Sequence, residues 1–201
     1  MLDGWARRRI DPVLDAIGGR LARAGVSANV VTVTAFALGV VAAVAIAQGH
    51  FLTGLFFVLV SRLGDGLDGA VARVRGKTDL GGYLDIVLDF AFYGMIPLGF
   101  VLADPAANAV AGAVLLLSFY VNGSSFLAYA IMAEKRELQG EARGEKSLFF
   151  TTGLAEATET LIVFVAFCLF PAWFAVIAYV FAAVTFYTAL SRVVLAGRMF
   201  R

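Results

Sequence analysis

From Ala24 to Ser61 the chain contains no aspartate, glutamate, lysine or arginine, and this run constrains the fold more than any other feature. A helix rises about 1.5 Å per residue and the hydrocarbon core of a bilayer is roughly 30 Å thick, so about 20 predominantly apolar residues make one crossing. Gln48-Gly49-His50 punctuates the run, which divides into spans over 27–47 and 51–75, the second ending in charged residues. Further apolar stretches cover 79–102, 108–133 after the Asp104-Pro105 break, 148–170, and 172–196 beyond Phe170-Pro171. The expectation is an all-α, polytopic membrane protein with six transmembrane helices. Composition points the same way: 61% hydrophobic, 15% charged and a mean hydropathy of +0.86, where soluble domains carry about 25% charge. A net charge of +1 leaves no basic field for nucleic acid. With one cysteine, Cys168, and one histidine, His50, neither an internal disulfide nor a thiolate- or imidazole-ligated metal centre can form.

The cations give orientation. Arg7, Arg8, Arg9, Arg20 and Arg23 precede the first span, and Arg73, Arg75 and Lys77 lie around the second connection. Lys135, Arg136, Arg143 and Lys146 occupy the fourth connection, while Arg192, Arg198 and Arg201 mark the end of the sixth span. The three opposite connections carry no Lys or Arg, so the positive-inside rule puts both termini in the cytoplasm. Residues 1–24 read as a separate amphipathic helix in the membrane interface, with Ile10, Val13, Leu14, Ile17 and Leu21 on one face and cations elsewhere. Residues 25–201 form the transmembrane domain. The segment lacks the features of a cleaved secretory signal, and an inner (plasma) membrane location is expected.

Acids inside apolar spans carry the functional information, because each costs a few kcal/mol to insert. Asp65 and Asp68 are three apart on the second span, and Asp85 and Asp89 four apart on the third. Counted outward from Lys77, Asp68 and Asp85 lie at matched depth, as do Asp65 and Asp89. Two rungs of paired carboxylates follow if both segments are helical and antiparallel. Four neighbouring carboxylates raise one another's pKa, and a divalent cation relieves that. Oxygen-only ligation selects a hard ion, Mg²⁺ or Mn²⁺, and two such ions can clamp phosphate oxygens. Gly64, Gly66, Gly69, Gly81 and Gly82 remove bulk around the cluster.

Asp65-x-x-Asp68-Gly69-x-x-Ala72-Arg73, then seven residues, then Gly81-x-x-x-Asp85-x-x-x-Asp89, resembles the signature of the CDP-alcohol phosphotransferase (CDP-alcohol phosphatidyltransferase) family, class I, at all eight positions. The resemblance implies a membrane enzyme of phospholipid biosynthesis that moves a phosphatidyl group from CDP-diacylglycerol to a small alcohol and releases CMP. It further implies that Asp65, Asp68 and Asp85 hold the metal ions, and that Asp89 both ligates one and serves as the catalytic base. Gly69, Arg73 and Thr78 would contact the nucleotide, as would Asn29 and Thr32 at the start of the first span. Homodimers are usual in the family. Independently of it, an alcohol is a poor nucleophile, and a carboxylate base opposite a clamped pyrophosphate addresses both ends of such a displacement.

The acceptor is less well specified. Glu156 and Glu159 share a helical stripe with Thr152 and Thr160, and Asn122, Ser124 and Ser125 interrupt the fourth span. These residues either line an acceptor pocket or act as polar glue between helices. Lys135, Arg143, Lys146 and Arg192 gather at the cytoplasmic side, where they suit a phosphorylated acceptor, although the positive-inside rule also explains them. Arg62 reads as a helix-face counterion, Asp79 as a helix cap, and the 18 phenylalanines as packing and lipid-facing material. A divalent-cation or proton transporter is the rival that also needs intramembrane acids. It leaves Gly69, Ala72 and Arg73 at fixed spacing without a reason.

Overall fold

A computed structural model describes residues 3–135 and 157–200 of the chain, with side chains from residue 10 onward. Within those residues the elements are all helical: α1 (Asp3–Arg23), α2 (Ala28–Ala47), α3 (Phe51–Arg75), α4 (Asp79–Ala103), α5 (Pro105–Lys135), α6 (Ala157–Leu169), a short 3₁₀ turn (Pro171–Trp173) and α7 (Phe174–Met199). Four stretches are long and apolar enough to cross a membrane: Ala28–Ala47, Asp79–Ala103, Pro105–Lys135 and Pro171–Met199. α3 matches α4 in length at 25 residues but carries too many charges to count by composition. The fifth expected span, 148–170, falls partly outside the described residues, which leave α6 with 13.

Local chemistry sets the ends. Ser27 caps α2 by accepting from the Val30 amide at 3.4 Å. α3 stops at Gly76, whose φ of +98° suits glycine alone among common residues. α4 begins at Thr78, whose hydroxyl accepts from the Gly81 amide at 3.1 Å. The cap is therefore Thr78 rather than Asp79, which is the first residue inside the helix. The reason is that Thr78 has the extended backbone that capping needs. The expected break at Asp104-Pro105 is present, with Asp104 Oδ1 accepting from Ala107 N at 3.1 Å. α5 starts at Pro105 itself, three residues before the expected 108, because proline fits the first helical position.

Small residues bring α2, α3 and α4 together. The buried stripe of α2 is Thr32, Ala35, Gly39, Ala42 and Ile46, at alternating spacings of three and four. Ser61 on α3 donates to the Ala35 carbonyl at 2.8 Å in a buried contact. A Cβ added at Gly64 would lie 2.8 Å from that of Ala35, and one at Gly39 would lie 2.6 Å from the Phe92 ring. Close approach of this kind is how membrane helices gain packing energy. Farther along, Phe92, Phe100, Phe164, Phe167 and Phe174 are fully buried and form an aromatic core, with Phe100 and Phe174 stacked at 5.0 Å. Cys168 belongs to the same core.

α1 lies along α3. Leu14 and Ala22 are buried, a Cβ on Gly18 would lie 2.6 Å from that of Ala70, and one on Gly66 would lie 2.7 Å from Leu14. Ile10, Val13 and Ile17 remain exposed. The single apolar face expected of this helix is thus divided between a protein-facing edge and an outward stripe, because Gly18 and Ala22 extend the packing edge beyond the large hydrophobics.

Candidate active site

α3 and α4 run antiparallel from the Gly76–Thr78 turn, and their facing sides carry the acids. One carboxylate oxygen from each of Asp65, Asp68 and Asp85 lies within 4.8 Å of the others. Asp68 is only 7% exposed, and its Oδ2 is buried with no hydrogen-bond partner among the described residues. A buried, unpartnered carboxylate oxygen costs several kcal/mol unless a cation answers it. Three hard oxygen donors converging on one point fit Mg²⁺ or Mn²⁺ and suit no soft metal. Thr32, on the buried stripe of α2, interacts with Asp68 while its hydroxyl donates to the Ala28 carbonyl at 3.0 Å.

Asp89 stands apart from this trio. Arg62 Nη1 donates to Asp89 Oδ1 at 2.6 Å and lies 3.5 Å from Asp65 Oδ2. Hence the Asp65–Asp89 rung exists with a guanidinium set between its members. Matched depth alone would have placed Asp89 with the other three acids. A cation one turn before Asp65 reaches across to α4 instead. The sequence presents Arg62 only as a helix-face counterion, whereas the structure sets it within the site; its spacing of three to Asp65 is the signal the sequence holds.

The expected nucleotide contacts gather near the turn. A Cβ on Gly81 would lie 2.9 Å from Thr78 Oγ1 and 3.0 Å from Asn29 Oδ1, so glycine lets these two side chains meet at the start of α4. Arg73 lies one turn beyond Gly69, whose added Cβ would be 3.7 Å from Nη1. Arg73 is held from α1: its Nη2 and Nε donate to Asp15 Oδ1 at 2.5 and 3.2 Å. Asp15 had no signal in the sequence, since it joins the site only through the docking of α1. Arg75 donates to the Val26 carbonyl at 3.1 Å and ties the same end of α3 to the α1–α2 connection.

Arg192 on α7 reaches α5, where Nη1 donates to the Asn122 carbonyl and Oδ1 at 3.0 Å each and to Ser125 Oγ at 2.7 Å. Two groups that the sequence set down separately, the basic residue and the polar interruption of the fourth span, form one cluster. Ser124 turns its hydroxyl back to the Tyr120 carbonyl. Lys135 is exposed at the end of α5. Glu159, in the first turn of α6, has a buried Oε2 with no hydrogen-bond partner among the described residues. Arg143, Lys146 and Glu156 lie outside the described residues.

A family model described as CDP-alcohol phosphatidyltransferase matches residues 25–194. The chain is 46% identical over 193 residues to inner membrane protein YnjF of Escherichia coli (strain K12), covering 96% of this chain and 94% of that protein. It is 29% identical over 194 residues to archaetidylinositol phosphate synthase of Methanothermobacter thermautotrophicus, covering 94% and 88% respectively. Among solved structures, the phosphatidylinositol phosphate synthase PgsA1 of Mycobacterium tuberculosis in complex with manganese and citrate superposes with a TM-score of 0.72 at 24% identity, covering 90% of this chain and 87% of that one. The same protein with CDP-DAG bound gives 0.70 at 23%, covering 90% and 92%. At these identities the structural likeness speaks for the fold.

Proposed function

The chain belongs to the CDP-alcohol phosphatidyltransferase family, and from that premise we propose that it transfers a phosphatidyl group from CDP-diacylglycerol to a small alcohol at the cytoplasmic side of the membrane, with release of CMP. The convergence of Asp65, Asp68 and Asp85 within 4.8 Å is the observation that carries the reading. In the reaction the acceptor oxygen bonds to the phosphorus that bears the diacylglycerol. The bond from that phosphorus to the CMP oxygen breaks, and the hydroxyl proton passes to the Asp89 carboxylate. When bound, one or two Mg²⁺ or Mn²⁺ ions supply Lewis-acid polarisation of the pyrophosphate. Asp65, Asp68 and Asp85 hold the ions, with Asp89 as the fourth ligand where a second is present.

Gly69, Arg73, Thr78, Asn29 and Thr32 form the nucleotide side of the site, at the end of α3 where the turn meets water. The lipid donor's chains can then remain in the bilayer while a soluble acceptor enters from the cytoplasm. The Arg192–Asn122–Ser125 cluster, with Lys135 and Glu159, makes up the acceptor side in this reading, and the sequence adds Arg143, Lys146 and Glu156 as candidate acceptor contacts. A phosphorylated polyol heads the panel of acceptors, because one relative is named archaetidylinositol phosphate synthase and a structural neighbour phosphatidylinositol phosphate synthase. The chain works as a homodimer of six-span subunits, with α1 in the cytoplasmic interface and both termini inside.

Release of CMP by purified protein supplied with CDP-diacylglycerol and Mg²⁺ tests the reading, run across glycerol 3-phosphate, inositol, inositol phosphate, serine, choline and ethanolamine. Release that depends on one acceptor and falls at least about 100-fold in Asp89→Asn is expected, in line with the general-base contribution of 10²–10⁴. Full activity in that variant would remove Asp89 from the role. Folded protein that gives no CMP with any acceptor would overturn the transfer itself.

A further inference from the structure

Among the described residues, Arg62 is the cation set between the acids of the site, and the proposed displacement does not call for it. Its side chain is 12% exposed and sits among apolar helices, where an unpaired guanidinium is costly. The side chain is held on several sides. Nη1 meets Asp89 at 2.6 Å and Asp65 at 3.5 Å, and the guanidinium carbon lies 3.7 Å above the Phe92 ring and 5.7 Å from that of Tyr93. Nε is buried without a hydrogen-bond partner among the described residues. The planar fork is therefore seated on an aromatic face, with a carboxylate from each of two helices at its edge, a geometry that lysine cannot copy. Of the Asp89 oxygens, Oδ1 takes the only hydrogen bond given to that carboxylate among the described residues.

We propose that Arg62 is a positioning residue: it fixes Asp89 through Oδ1, so that Oδ2 is the oxygen presented to the acceptor hydroxyl, and its charge between Asp65 and Asp89 limits how tightly the carboxylate cluster holds a divalent cation. The inference rests on the proposed transfer for the first half; the second half concerns ion binding alone. Four carboxylates against one guanidinium leave a cluster that attracts a hard cation without binding it beyond release. Removing a unit positive charge beside a bound dication strengthens binding by an amount that Coulomb's law puts at about tenfold or more, even with strong screening.

The experiment measures Mn²⁺ binding by electron paramagnetic resonance, together with CMP release, in full-length protein and in Arg62→Gln and Arg62→Lys. Arg62→Gln is expected to bind Mn²⁺ about tenfold more tightly while kcat falls at least about tenfold and the donor KM stays within about twofold. Arg62→Lys keeps the charge and loses the fork, so its Mn²⁺ affinity should match the parent while kcat is still reduced. A residue that merely glued α3 to α4 would weaken ion binding when removed, so weaker or unchanged Mn²⁺ binding in Arg62→Gln overturns the proposal. Should that variant fail to fold, a change of Mn²⁺ affinity in Arg62→Lys, or an unaltered kcat there, overturns it equally. Absence of CMP release by the parent protein would fail the transfer reading while the Mn²⁺ comparison still decides the charge role.

Discussion

Replacing Asp15 by Asn should strengthen nucleotide binding, an unusual direction for the loss of an ion pair. Arg73 Nη2 and Nε both donate to Asp15 Oδ1, at 2.5 and 3.2 Å. If Arg73 also serves the pyrophosphate, the nucleotide must compete with Asp15 for the same guanidinium. The two side chains are 50% and 54% exposed, so water and salt screen the pair and its worth is about 0.2–1 kcal/mol. With every 1.4 kcal/mol worth a factor of ten, freeing Arg73 corresponds to roughly 1.4–5-fold tighter binding. Removing the Asp15 charge from the neighbourhood of an incoming phosphate acts in the same direction. The assay is calorimetric binding of CDP with Mg²⁺ in constant detergent at low and high salt. The Debye length falls from about 10 Å at 0.1 M to about 3 Å at 1 M, so the advantage of Asp15→Asn should shrink as salt rises. Asp15→Glu, which keeps the charge, should stay near the parent. Weaker or unchanged binding in Asp15→Asn at low salt would refute the competition, and would mean that Asp15 orients Arg73 for the nucleotide.

Gly18→Leu places a side chain where even a Cβ would lie 2.6 Å from Ala70 and 3.1 Å from its backbone, so α1 should lift from α3. The expected cost is about 1–3 kcal/mol, read as a lowered melting temperature with protease cleavage within α1. Gly19→Leu is the control, since nothing lies within 4 Å of a Cβ there; equal damage from both would show that helix propensity and not the contact was measured. Asp68→Asn keeps the shape of a side chain whose Oδ2 is buried without a hydrogen-bond partner among the described residues and removes its charge. Turnover should fall by about 100-fold or more, the upper range even for residues that only support a metal ligand. Mn²⁺ affinity should fall in parallel, and a folded variant with unchanged Mn²⁺ binding would take Asp68 out of the cluster.

Element boundaries and the acidic quartet were legible because both depend on short spacings. The charge-free run and its punctuation place α2 and α3, and the i, i+3 relation of Asp65 and Asp68 guarantees a common face whatever the neighbours do. What was not legible depends on how helices rotate against each other. Asp89 was assigned by depth, but depth does not say whether a cation from the other helix lies between two acids, and Arg62 reaches it across 27 residues of sequence. Asp15 and Arg73, 58 apart, meet only because Gly18 lets α1 settle on Ala70. A pattern search that counts large hydrophobics passes over such a glycine, so the sequence does not reveal the edge by which α1 packs on α3. Arg192 reads from the sequence as one of the cytoplasmic-side cations and Asn122 as a polar interruption of the fourth span, and their pairing across 70 residues depends on the parallel packing of α5 and α7, which also brings Phe119 to Phe181 and Tyr129 to Met199.

α3 shows how these pairings decide what a helix can do. Composition alone keeps it from the set of apolar crossings, yet its charges do not fall at random around its circumference. Leu52, Phe56, Leu59 and Leu63 are exposed at spacings of four, three and four, and form one outward apolar stripe. Arg62 pairs with α4, Arg73 with α1, and Arg75 with the connection between α1 and α2. Each cation is answered by a different part of the chain, on sides of the helix away from that stripe. A helix arranged so can meet lipid along one face while protein neutralises the rest, which is the condition under which charged residues are tolerated at membrane depth. That distribution supports α3 as a crossing and explains why a count of charges misses it. It also ties burial to chemistry: the same contacts that would make α3 acceptable to a bilayer hold Asp65 and Arg73 in the positions that the transfer reaction would use.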